Sequence, residues 1–173
     1  MSNLSEQVEK LIETGPQQGI PPIAIAPIAQ MLATVAKDLE HLQYFALRDP
    51  QQGWWLISTG SEGNESGEAE RWVAAFGHQA DAERMLAELA RVSEGTDAAG
   101  FEVVEKDTLE LLFLALGLRR SAGLLLYEAE GDADKIAQGL PISGQGIRAE
   151  DLRAEMQKCL AALKRAATDS TIA

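Results

Sequence analysis

Any chemistry done by this chain must come from few side chains. It carries two histidines, His41 and His78, and one cysteine, Cys159. That falls short of the His and Cys clusters from which zinc or iron centres are built, so no metal and no cofactor is expected. Cys159 stands one position before Leu160 in an apolar-periodic run with no base beside it, and reads as a packed thiol rather than a nucleophile. His78 precedes a helical stretch, with Asp81 three residues on. That spacing suits an imidazole–carboxylate couple or, more commonly, a helix cap. His41, beside Glu40 at the end of the preceding helical run, reads as a partner for that helix's dipole.

Two glycine-rich stretches invite a phosphate reading. Gly60, Gly63 and Gly67 follow a strand-like run, but no Lys-Ser/Thr follows, and Glu62, Glu65 and Glu68 would repel a phosphate. Ser143-Gly144-Gln145-Gly146 opens onto a helix and offers backbone amides to a small anion, with only Arg148 nearby. The carboxylates Glu102, Glu105, Asp107 and Glu110 read as solvation of a helix start rather than an acid–base pair. Arg119-Arg120 is an adjacent basic pair too small for nucleic acid, placed to satisfy carbonyls at a helix end.

The elements that must position these groups belong to a chain of 173 residues, enough for one domain with its own core. Apolar residues make up 46% and charged residues 24%, which excludes wholesale disorder. Twenty-seven acidic against fifteen basic side chains leave a net charge of -12, unfavourable to nucleic acid and anionic lipid. One cysteine forms no internal disulfide. The first fifteen residues carry Glu6, Glu9 and Glu13 where a signal peptide would be basic and then apolar. A reduced, cytoplasmic setting is the expectation.

Leu4, Val8, Leu11 and Ile12 recur at helical spacing behind Ser2 and Ser5, which predicts an amphipathic helix over 1–14. Gly15 to Pro22 then reads as a stiff, partly extended linker on which that helix stands apart. A second helix is predicted from Pro27, its stripe running through Ile28, Met31, Leu32, Val35, Leu39 and Leu42. The apolar stretch Ile20–Ala36 is too short and too rich in proline to span a membrane. Residues 44–48 and 54–59 read as a hairpin, and 71–76, 101–104 and 124–127 as further strands. Helices are expected over 79–92, from Asp107 with a capping-box-like Glu110 to near Gly117, and finally through Leu152, Met156, Leu160 and Leu163.

This order predicts an α+β fold: one mixed, largely antiparallel sheet of about five strands packed with helices. The body spans 23–167, with a tail at 168–173. Trp54 and Trp55 are adjacent in a strand and must point to opposite faces, while Leu124-Leu125-Leu126-Tyr127 is apolar on both. Either the chain's own helices cover both faces, or one face or the N-terminal helix meets a partner.

Trp72-Val-Ala-Ala-Phe76 followed by Gly-His-Gln-Ala-Asp81-Ala82 resembles the strand-to-helix turn of SseB-type and similar small bacterial α+β domains. With Leu124–Tyr127 and the glycine-rich loop before the last helix, the likeness covers about half the chain. The layout is similar also to small accessory proteins of photosynthetic bacteria. The resemblance implies no active site and an accessory or regulatory role.

Contact rather than catalysis is therefore expected: a protein-interaction, assembly or regulatory module. Trp54 and Trp55, or Leu4, Val8, Leu11 and Ile12, would meet another protein or a second copy. The alternative is a small-molecule-binding domain or enzyme with a pocket near His78, Asp81 and Ser143–Gly146.

Overall fold

Side-chain alternation along the strands decides the architecture. In a computed structural model, which describes residues 3–49, 51, 53–59, 70–92, 100–139 and 144–170, Val73 and Ala75 of one strand are buried in one apolar cluster. Ala74 and Phe76 of that strand are buried in another. Leu124 and Leu126 join the first cluster, Leu125 and Tyr127 the second. Such a sheet is stable only when both faces are covered.

The elements are α1 (Leu4–Thr14), a short 3-10 turn (Gly15–Gln18), α2 (Pro22–Ala36), β1 (Gln43–Asp49), β2 (Gly53–Trp54), β3 (Leu56–Thr59), β4 (Glu70–Phe76), α3 (Gln79–Val92), β5 (Glu102–Asp107), α4 (Thr108–Leu116), β6 (Gly123–Tyr127), α5 (Asp132–Ala137), β7 (Gln145–Arg148) and α6 (Ala149–Ser170). The fold is α+β, with a mixed, largely antiparallel sheet. β4 and β6 are its parallel pair, with Trp72 opposite Gly123 and Phe76 opposite Tyr127. Apolar residues of α1, α2, α4 and α6 pack into the first cluster, and those of α3 and α5 into the second.

Among the described residues the sheet has seven strands, where about five were expected. The predicted hairpin at 44–59 is divided. β1 pairs with β4 only at Phe45–Phe76 and Ala46–Ala75, while β3 takes up the same line along β4 from Leu56–Val73 to Thr59–Glu70. Beyond Ala46, β1 pairs with β2 at Arg48–Trp54 and Asp49–Gly53, and the Trp55 amide donates to the Leu47 carbonyl at 2.9 Å. Meanwhile β1 continues along β5 from Gln43–Asp107 to Arg48–Glu102.

β7 was expected to be loop because of its glycines. Gly146 lies in the strand, where a Cβ would make ordinary contact with the Trp72 ring at 3.5 Å, while a Cβ at Gly144, just before the strand, would crowd Leu125 and Tyr127. Arg148, at the end of β7, lies 5.2 Å from the Trp72 ring centre and forks onto Glu70 at 3.0 and 3.1 Å. The short α5 carried no periodic signal in its six residues. α2 begins five residues earlier than predicted, at Pro22 in the first helical turn, and stops at Ala36, so Leu39 and Leu42 lie beyond it.

The helix expected to stand apart does not. Val8 and Leu11 are buried in the first cluster, with Leu4 and Ile12 packed against its edge. The intended linker folds as a turn that brings α1 onto α2. Gln7 secures the arrangement. Only 2% exposed, its Nε2 donates to the Leu42 carbonyl at 2.8 Å and its Oε1 accepts from the Leu109 amide at 3.0 Å. Leu109 lies in the first turn of α4, where amides lack helical partners. Asp107 occupies the cap position there, but its carboxylate does not cap the helix; it receives Lys10 at 3.0 Å and Gln43 at 3.4 Å. The capping-box expectation for Asp107 and Glu110 is thus corrected: α1 supplies the cap from 102 residues away.

Gln7→Ala should therefore destabilise the whole fold by about 1–3 kcal/mol, the cost of a buried amide left without an acceptor. Urea unfolding measures this. A loss below about 0.5 kcal/mol would show α1 to be peripheral.

Candidate functional site

Alternation puts Trp54 and Trp55 on opposite sides of the sheet, the first against the larger cluster and the second against the smaller. Each is half-buried, and Trp54 is further covered by Arg48, whose guanidinium carbon lies 5.9 Å from its ring centre. They do not form an exposed aromatic patch. Val8 and Leu11 are likewise spent on the chain's own core. Of the expected contact residues, the chain's own core thus covers Val8 and Leu11, while Trp54, Trp55, Leu4 and Ile12 stay partly exposed.

Of the pocket expected around His78, Asp81 and Ser143–Gly146, the described members Asp81 and Gly146 are engaged in structural contacts. Both Asp81 carboxylate oxygens accept from the Gly131 amide at 3.2 Å, which ties α3 to the turn before α5. Gln145 and Gly146 pair with Leu126 and Leu125, so their backbone belongs to the sheet. Ser143 lies outside the described residues, as does the glycine-rich loop 60–67. Cys159 is partly buried in α6, and Arg119 and Arg120 are exposed past α4. The cation that reaches that helix end is instead Arg153, donating to the Leu118 carbonyl at 2.8 Å.

Two other features emerge. The larger is a cavity of about 830 Å³ between α1 and α4, lined also by Ile20, Leu118 and Met156. Its floor is Leu11, Phe113, Leu114 and Leu116. Lys10, Lys106, Asp107, Glu110 and Arg119 stand along its rim. Lys10 bridges from α1 to Asp107, and this hydrogen bond holds its ammonium above the ordinary lysine range. Lys106 pairs with Glu110 at 2.6 Å. The charged lining is thus mixed, and Glu6, Glu9 and Glu13 elsewhere on α1, with Glu102 and Glu105 elsewhere on β5, are exposed. Periodicity identified α1 and α4 but not the gap between them, which depends on how closely two helices approach.

The second feature joins the chain's two histidines. Register sets the carboxyl ends of parallel β4 and β6 beside the start of antiparallel β1. His78 follows β4, Glu128 follows β6, and His41 precedes β1. The imidazoles of His41 and His78 stand edge to face, 5.0 Å apart at 78°. Tyr44, fully buried, donates its hydroxyl to Glu128 Oε1 at 2.7 Å. Burial first, and then the Glu128 carboxylate, push the Tyr44 phenol well above its usual range. His41 Nε2 lies 3.0 Å from the Glu128 carbonyl and 3.4 Å from Glu128 Oε2. That second oxygen is shut off from solvent and has no hydrogen-bond donor. His41 is thus not a dipole partner for α2, which ends five residues before it; His78 offers its carbonyl, not its ring, to the first amides of α3. Among the described residues, Glu40, His41 and Glu128 bring three possible ligating atoms within 4.8 Å of one another.

No family model matches the chain, and no curated protein matches it. A solved structure described as Anabaena Tic22 (protein transport) is similar over 65% of this chain, at 18% identity and a TM-score of 0.37. The chain spans about half the length of that protein, 49%, and a likeness of this size carries no conclusion about function. Among the described residues no helix is long and apolar enough to cross a membrane.

The cluster is packed tightly enough to test. A Cβ on Gly77 would overlap the His41 ring, so Gly77→Ala should cost about 1–3 kcal/mol, as overpacking does. In a His41→Ala background the same change should cost at least about 1 kcal/mol less, since contacting residues couple. Additive losses in a denaturation double-mutant cycle would show that the ring does not sit against Gly77.

Proposed function

We propose that this protein is a non-enzymatic interaction module that receives an apolar, basic-flanked helical segment of a partner in the cavity between α1 and α4. The observation that carries the reading is the cavity itself: an open apolar trough about 830 Å³ in volume, walled by two helices and floored by Leu11, Phe113, Leu114 and Leu116. Amphipathic helices dock in grooves of this kind by placing leucine-type anchors into the floor. Charge selects the partner. The cavity lining itself is mixed, Lys10, Lys106 and Arg119 against Asp107 and Glu110, and the selection comes from the chain's net charge of -12, which draws in cations and repels anions. An accessory role fits the SseB-type resemblance around Trp72–Ala82, and a role in contact rather than catalysis fits the engagement of Asp81 and Gly146 in structure.

The test uses two synthetic amphipathic peptides of about 18 residues, ~27 Å long as helices, with identical leucine faces and either lysine or glutamate on the polar face. The lysine peptide should bind one to one at micromolar strength and weaken as salt is raised. Leu114→Arg, at a half-buried floor position, should reduce that affinity at least tenfold while leaving the thermal midpoint within a few degrees. NMR shift changes should map to α1 and α4. Equal binding of the glutamate peptide, binding indifferent to Leu114→Arg, or no saturable binding at all overturns the proposal.

A further inference from the structure

We propose that Glu40, His41 and Glu128 form a binding site for a single divalent cation of the zinc class. The starting point is Glu128 Oε2. One oxygen of that carboxylate is satisfied by Tyr44, but the other is removed from water and has no donor. A buried carboxylate oxygen in that condition is costly unless a cation meets it. His41 Nε2 is 3.4 Å away. Two ligands of a tetrahedral zinc ion, each at ~2.0–2.1 Å, stand roughly 3.3–3.4 Å apart, so the nitrogen and oxygen are already spaced as one edge of such a site. Glu40 brings a third ligating oxygen within 4.8 Å of both, on an exposed side chain free to swing inward.

The surroundings fix the two inner ligands. Tyr44 orients Glu128 through Oε1 and leaves Oε2 directed elsewhere. Tyr44 and His78 stand edge to face with the His41 ring, at 5.7 and 5.0 Å, and Gly77 gives it room. On binding, His41 takes the tautomer with its proton on Nδ1, and Nε2 exchanges the Glu128 carbonyl for the ion. No net proton is released from a neutral imidazole. Three protein ligands leave a fourth position to water or an external group. Placement agrees with the fold: the cluster lies beyond the carboxyl ends of the parallel strands β4 and β6, where sheets with parallel strands commonly hold ligands. This site shares no residue with the α1–α4 groove and stands independently of it.

Isothermal titration of the chelator-treated full chain with Zn²⁺, with Mg²⁺ as the contrast, tests the proposal. One ion should bind per chain with a Kd below about 10 μM, Mg²⁺ should not compete, and the thermal midpoint should rise with Zn²⁺ concentration. His41→Ala and Glu128→Gln should each weaken binding at least tenfold; glutamine keeps an oxygen for Tyr44 while removing the charge. Glu40→Gln, at an exposed position that folding does not require, should also weaken binding and keeps the test decisive should an inner variant fail to fold. Co²⁺ substitution should give the visible absorption of a tetrahedral ion with nitrogen and oxygen ligands. Absence of one-to-one binding, or affinity unchanged by Glu40→Gln and by whichever inner variants fold, overturns the proposal.

Discussion

A sheet that is apolar on both faces must be covered twice, and most of this structure follows from that constraint. Val73, Ala75, Leu124 and Leu126 require one layer of helices, and Ala74, Phe76 and Tyr127 another. Burying such side chains contributes about 1.5–3 kcal/mol for each large one, which is why few apolar residues are left over for other purposes. The larger face needs α1, α2, α4 and α6 together. α1 is therefore part of the body, and its Gln7 supplies the helix cap that Asp107 does not. Local signals at α4 favoured a self-contained cap; tertiary packing replaced it with one from 102 residues away.

The same constraint shapes the two places where something can bind. Helices laid side by side over one face leave a seam wherever their side chains do not interdigitate, and the trough between α1 and α4 is such a seam. At one end of the inner strands, by contrast, polar groups gather where the strands stop. β4 and β6 run parallel, so His78 and Glu128 leave the sheet at one end, and β1, entering there in the opposite sense, adds His41 and Tyr44. Counting histidines and cysteines excludes a metal centre only when carboxylates are left out. Here two of the three proposed ligands are glutamates, and their significance lies in register and in one oxygen without a donor.

Helix and strand types were mostly legible because periodicity is local. Leu152, Met156, Leu160 and Leu163 do face the core from α6, and β4 does end at Phe76 just before α3. What resisted reading was context. Gly144 and Gly146 signal a loop by composition, yet Gly146 lies in a strand paired with β6, and Gly144 just before it makes room for Leu125 and Tyr127. Trp54 and Trp55 were rightly assigned to opposite faces, but adjacency in a strand does not say whether the chain or a partner covers them.

By itself the sequence determined the fold class, the two-sided sheet and the acidic surface, since each depends on residue type and spacing over a few positions. The tertiary structure alone decided that α1 belongs to the core, that Asp81 serves Gly131 and not His78, and that His41 meets Glu128. Those outcomes depend on strand order and register, which bring together segments scores of residues apart. No periodicity within one segment encodes the distance to another.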